Sequence, residues 1–152
     1  MEDTNATTEI LNDLILINND RIAGYEKAIH ELEENDADLK SLFQRMIDQS
    51  RQLRNALGTE VQVLGGTMAE GTMASGKIYR AWMDIKALFS GHDRHAILAN
   101  CERGEDAAQK AYRTALEEED VPAYLKELII KQQQTLKYSH DEVKSVRDQV
   151  LN

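Results

Sequence analysis

Glu105 is the residue of this chain best placed to do chemistry. In the run AILANCERGEDAAQKAYRTAL, Ala96 to Leu116, a helical pitch of about 100° per residue lines up Ile97, Cys101, Ala108, Tyr112 and Ala115. Glu105 projects from the middle of that apolar stripe. A carboxylate in such a place costs several kcal/mol unless a metal or a cationic side chain meets its charge. Glu102 and Asp106 stand near it, completing an i, i+3, i+4 set of carboxylates, and His140 lies at the edge of a later apolar stripe. Glu102, Glu105 and His140 therefore form the candidate metal set, with iron as the metal. Carboxylate oxygen and imidazole nitrogen together suit that ion.

The competing partner for Glu105 is Arg54. It shares an apolar face with Ser50, and pairing it with Glu105 leaves Asn18, Tyr112 and Gln132 to hydrogen-bond the remaining carboxylate lone pairs. The candidate buried polar network is thus Asn18, Arg54, Glu105, Tyr112 and Gln132. A di-iron carboxylate layer in a four-helix bundle uses a Glu-x-x-His motif on two of its helices. Here His30, His92, His95 and His140 are preceded at that spacing by Lys27, Phe89, His92 and Lys137. The motif is absent, so the network is the preferred reading. Catalytic residues are not indicated: the lone cysteine, Cys101, packs as a small hydrophobe, and no glycine-rich phosphate loop follows a strand.

Four helices must carry these residues. One proline and few aromatics argue against a sandwich or barrel. The first helix runs from about Thr8 to Glu34 on a stripe of Leu11, Leu14, Ile22, Tyr25, Ile29 and Leu32, with Asn18 among them. Asn35 and Asp36 break it. A second spans Ala37 to Leu64 on Leu39, Phe43, Met46, Leu53, Leu57, Val61 and Leu64. The third ends near Glu119 and Asp120, and Pro122 opens a fourth that reaches Val150, with Gln132 and Ser139 inside its stripe. Between the second and third, residues 65–91 form a long connection. Its first part, GGTMAEGTMASG, reads as a mobile connector with an imperfect Gly-Thr-Met-Ala doublet, and its second, Lys77 to Phe89, as a short amphipathic helix containing Trp82. A connection of that length can return along a helix about 40 Å long, which a tight turn cannot. The expected architecture is all-α, a ferritin-like four-helix bundle with a crossover between helices 2 and 3, as one domain over residues 1–152.

The totals narrow the partners. With 27 acidic against 18 basic residues, a net charge of −9 and no basic run, the chain is a poor ligand for nucleic acid or anionic membrane. Neither a leader nor an apolar span is evident, and a cytoplasmic location is expected.

The run Glu102-Arg103-Gly104-Glu105-Asp106-Ala107-Ala108, followed by Lys110-Ala111-Tyr112-Arg113, resembles the hallmark of a bacterial family of ferritin-like bundles catalogued as a domain of unknown function. The opening Leu11-Asn12-Asp13-Leu14-Ile15, the Trp82-Met83 pair and the late Val146-Arg147-Asp148 extend the likeness over nearly the whole chain. The resemblance implies a ferritin-like bundle described by analogy as stress-related. Glu102, Glu105 and His140 match positions where ferritin-like proteins carry metal ligands, but Ile22 stands where a first-helix carboxylate is expected. The sequence thus leads to a non-catalytic homo-oligomer whose di-metal layer has become a polar network, acting on a protein partner through its surface, with the Ile78 to Phe89 segment as the expected contact. The alternative is an iron-binding, ferroxidase-like oxidoreductase with a sparse carboxylate and histidine site.

Overall fold

The computed structural model describes residues 4–71 and 94–149, and within them every long element is a helix. Helix α1 is Thr4–Glu31 and α2 is Ala37–Val63, joined through one 3-10 turn at Glu34–Asp36. After the crossover, α3 is Arg94–Leu116 and α4 is Ala123–Gln149. The four expected long helices are present, with α1 starting and ending earlier than the stripe suggested and α3 stopping at Leu116. The expected short helix at 77–89, with Trp82, lies outside the described residues.

The ends of the helices show why each stops. At the end of α2, Gly65 adopts φ +80, its N–H donates to the Gln62 carbonyl at 2.9 Å, and the Gly66 N–H donates to the Val61 carbonyl at 2.9 Å. This paired closure needs a left-handed residue, which glycine supplies without a Cβ clash. Pro122 fits the first turn of α4, where its missing N–H has no helical partner to lose; its carbonyl accepts from Leu125 and Lys126. Asp36 does not cap α2 through its side chain. It accepts from the Glu33 N–H at 3.1 Å and from Arg94 at 2.9 Å, and Arg94 also grips Asp38 at 2.5 Å. One arginine thereby fastens the first residue of α3 to the α1–α2 turn.

Helix α1 packs on α2 and on α3, and α3 packs on α4. The α2/α4 seam is bridged by polar groups: Arg45 to Glu142 at 2.9 Å, Ser139 to Gln49 at 2.8 Å, and Gln132 to the Leu53 carbonyl at 3.1 Å. The apolar core is divided in two. One cluster gathers Leu11, Leu14, Leu57, Val61, Ala108, Tyr112 and Leu125; the other gathers Tyr25, Phe43, Met46, Ile97, Leu98 and Val143. Between them lie the buried polar side chains Asn18, Arg21, Ser50, Glu105, Gln132 and Ser139.

The start of the crossover is anchored, contrary to the expectation of a mobile connector over its described part. Asn12 donates to the Thr67 carbonyl at 3.0 Å and accepts from the Ala69 N–H at 2.8 Å, and Asn19, one heptad on, donates to the Gly71 carbonyl at 2.9 Å. Two asparagines on one face of α1 thus supply hydrogen bonds that an extended chain would otherwise find in a sheet. Residues 72–76 of that expectation lie outside the described residues.

A buried ion pair as the candidate functional site

Glu105 is buried as the sequence requires, but its cation is Arg21, not Arg54. Arg21 Nε donates to Glu105 Oε1 and Arg21 Nη2 to Oε2, both at 2.7 Å, a side-on fork in which both side chains are essentially inaccessible, 0% and 1% exposed. The rest of the guanidinium is also satisfied. Nη1 donates to Ser50 Oγ at 2.7 Å and to Gln49 Oε1 at 2.9 Å, and the remaining Nη2 hydrogen meets Met46 Sδ at 3.4 Å. Tyr25 donates its hydroxyl to Glu105 Oε2 at 2.9 Å, and the Arg21 guanidinium carbon lies 5.4 Å from the centre of the Tyr25 ring. The Tyr25 ring leans on Phe43 at 5.3 Å. Every donor of the arginine and both oxygens of the carboxylate are occupied, the condition under which a buried pair holds its charges.

Each neighbouring titratable group responds to that field. Burial opposes the charge of Arg21, but the adjoining Glu105 carboxylate, joined by the Tyr25 and Tyr112 hydroxyls, holds the guanidinium above its ordinary value. Burial first, then the same carboxylate, pushes the Tyr25 hydroxyl well up. Cys101 is raised by burial and by Glu105, so it stays a thiol and packs as the sequence suggested.

The expected network separates into two. Asn18, Tyr112 and Gln132 do come together, but they bond to one another instead of to Glu105, and Asn18 Oδ1 is left buried without a hydrogen bond among the described residues. Asn18 Nδ2 donates to the Tyr112 hydroxyl at 2.9 Å, which donates to Gln132 Oε1 at 2.7 Å. Gln132 passes the chain to the Leu53 carbonyl, and burial raises the Tyr112 hydroxyl. Arg54 belongs to neither network. It is half-buried one turn beyond Ser50 and donates to Asn19 Oδ1 at 3.2 Å and Asn55 Oδ1 at 3.3 Å. The site beside Glu105 is already filled by Arg21, which with Gln49 stands outside the expected polar layer, while Tyr25, expected in that layer, bonds Glu105 directly. The signal for Arg21 lies in its spacing: three residues after Asn18 and four before Tyr25, it falls on the same face of α1.

The three candidate metal ligands are also divided. Glu102 and His140 approach, with His140 Nε2 at 3.7 Å from Glu102 Oε2 and 2.7 Å from Asp106 Oδ1. Glu105 is turned inward to Arg21. The other His140 nitrogen lies 3.1 Å from Asp141, whose carboxyl that contact holds below its usual range, while Glu102 is taken by Arg147. Among the described residues, no three His, Cys, Asp or Glu side chains are grouped to hold a metal. A ferritin-like metal does not fit beside Glu105 in the mid-bundle layer, because a resident guanidinium covers both oxygens of that carboxylate.

The family model described as Domain of unknown function (DUF2383) matches residues 6–118. The chain belongs to the DUF2383 family. Among solved structures, a mutant of Dps1 from Mycobacterium smegmatis is similar to this DUF2383 chain with a TM-score of 0.81, covering 97% of this chain and 99% of that one at 12% identity. At that identity the likeness shows the fold, a ferritin-like four-helix bundle. No curated protein matches the chain.

Proposed function

We propose that this DUF2383 chain is a non-catalytic ferritin-like protein of the cytoplasm, stress-related in role, that assembles with copies of itself and acts on a protein partner through its surface. Its mid-bundle layer, where ferritin-like carboxylate proteins hold metal, is a structural polar network. The observation that carries the reading is the Arg21–Glu105 fork with both 2.7 Å bonds out of solvent. A cation bound covalently to the chain does the charge balancing that an iron would do. No helix among the described residues is long and apolar enough to cross a membrane.

The test is metal content after anaerobic loading with ferrous ion and removal of loosely held metal. Substoichiometric iron is the expected result. About two irons per chain, the complement of a di-iron layer, would overturn the reading and favour the iron-binding oxidoreductase built on Glu102, Glu105 and His140.

A further inference from the structure

Arg54, released from the role the sequence suggested for it, lines a groove of about 490 Å³ between α1, α2 and the anchored start of the crossover. The groove also presents Ile22, Met68 and Ala69 as apolar surface and Glu26 and Glu70 as carboxylates. We propose that it binds a small zwitterion with an apolar side chain, an amino acid or a dipeptide, with the ligand carboxylate on Arg54 and its ammonium toward Glu26 and Glu70. This goes beyond the function proposed above and stands on different residues.

The argument begins with the guanidinium. Arg54 has no carboxylate within ion-pair distance among the described residues; its two partners are the amide oxygens of Asn55, on Nε, and Asn19, on Nη1. Asn19 is itself held from the other side by its bond to the Gly71 carbonyl. The two amides fix the plane of the guanidinium and leave both Nη2 hydrogens and the second Nη1 hydrogen for a further acceptor. That fork fits the two oxygens of a carboxylate. The volume lies within the range of about 300–1,000 Å³ typical of small-molecule sites, which join apolar walls to a few polar groups. Bare anions and phosphates are disfavoured by the net charge of −9 and by the two acids on the wall. An ammonium on the same ligand turns those acids into partners. The apolar floor then takes the side chain.

Calorimetric titration of the full chain with leucyl-leucine tests this, run beside N-acetyl-leucine, which lacks the ammonium, and leucinamide, which lacks the carboxylate. The expected result is saturable binding of the dipeptide, at least about tenfold weaker in Arg54→Met, in line with the loss of a charge-assisted hydrogen bond. Glu26→Gln, an exposed change that leaves the fold alone, should weaken the dipeptide about threefold or more and leave N-acetyl-leucine unchanged. Circular dichroism and Tm of both variants establish that they are folded. Absence of saturable binding, or unaltered dipeptide binding in Arg54→Met, overturns the site. Dipeptide affinity equal to that of N-acetyl-leucine overturns the zwitterion assignment.

Discussion

Arg21 and Arg54 lie on different helices and answer opposite questions about charge. Removing Arg21 leaves the Glu105 carboxylate buried and unmatched, so Arg21→Met should lower stability by about 3–5 kcal/mol in urea unfolding. The double change Arg21→Met with Glu105→Leu should recover most of that loss, because neither charge then remains in the core. Arg54→Met should change stability by less than about 1 kcal/mol, since it strands only two amide oxygens near solvent. Equal stability of Arg21→Met and the parent would show that the pair is not what holds this layer. Glu105 was legible from sequence because a single carboxylate interrupts an otherwise apolar stripe. Arg21 was harder to read: it shares a face with Asn18 and Tyr25, but α1 is apolar nearly all round from Leu14 to Ile17, so that spacing stands out against no clear stripe edge. A long basic side chain is ordinarily assigned to solvent, and here it is wholly enclosed.

At the scale of elements, the helices were legible because their apolar spacing persists over many turns, whereas the start of the crossover was not. Its order comes from side chains elsewhere: Asn12 and Asn19 on α1, whose spacing has meaning only once the chain lies beside them. Two glycines that meet this stretch, Gly66 within it and Gly58 on α2, differ in purpose. A Cβ on Gly66 would stand 2.6 Å from Thr8 Cγ2 and 3.3 Å from Val61 Cγ1, so Gly66→Ala should cost about 1–3 kcal/mol by forcing the crossover off α1. A Cβ on Gly58 would meet Met68 Sδ at 2.6 Å, a flexible chain end that can swing away. Gly58→Ala should therefore be close to neutral, the small displacement offset by better helix propensity. Thermal melts of the two variants check the contrast; equal losses would mean that Met68 is as firmly seated as Thr8.

For the whole molecule, stability should depend on pH through Asp13. Burial, with Glu9 adding to it, pushes its carboxyl up to about 6 from an ordinary 3.8. The folded chain therefore holds this proton more tightly than the unfolded one, and stability contributed by the neutral form is lost as pH rises from about 4 through 6. Asp13→Asn should raise Tm at pH 7 and gain little at pH 4. Asp13 is only half-buried, and solvent screening limits the gain to on the order of 1 kcal/mol. A pH-independent gain would assign the effect to the amide and not to the proton. The bundle itself followed from four apolar stripes and one long connection, while the pairing of charges within it depended on how the helices are rotated against one another. That pairing has a further consequence for assembly of the chain. If the α3–α4 hairpin slid along α1 by one turn, about 5.4 Å, Arg21 and Glu105 would each lose its counter-charge while still enclosed. Leucines and alanines alone tolerate such slippage at small loss; the salt-bridged layer makes it prohibitive, so the two hairpins can dock in a single alignment.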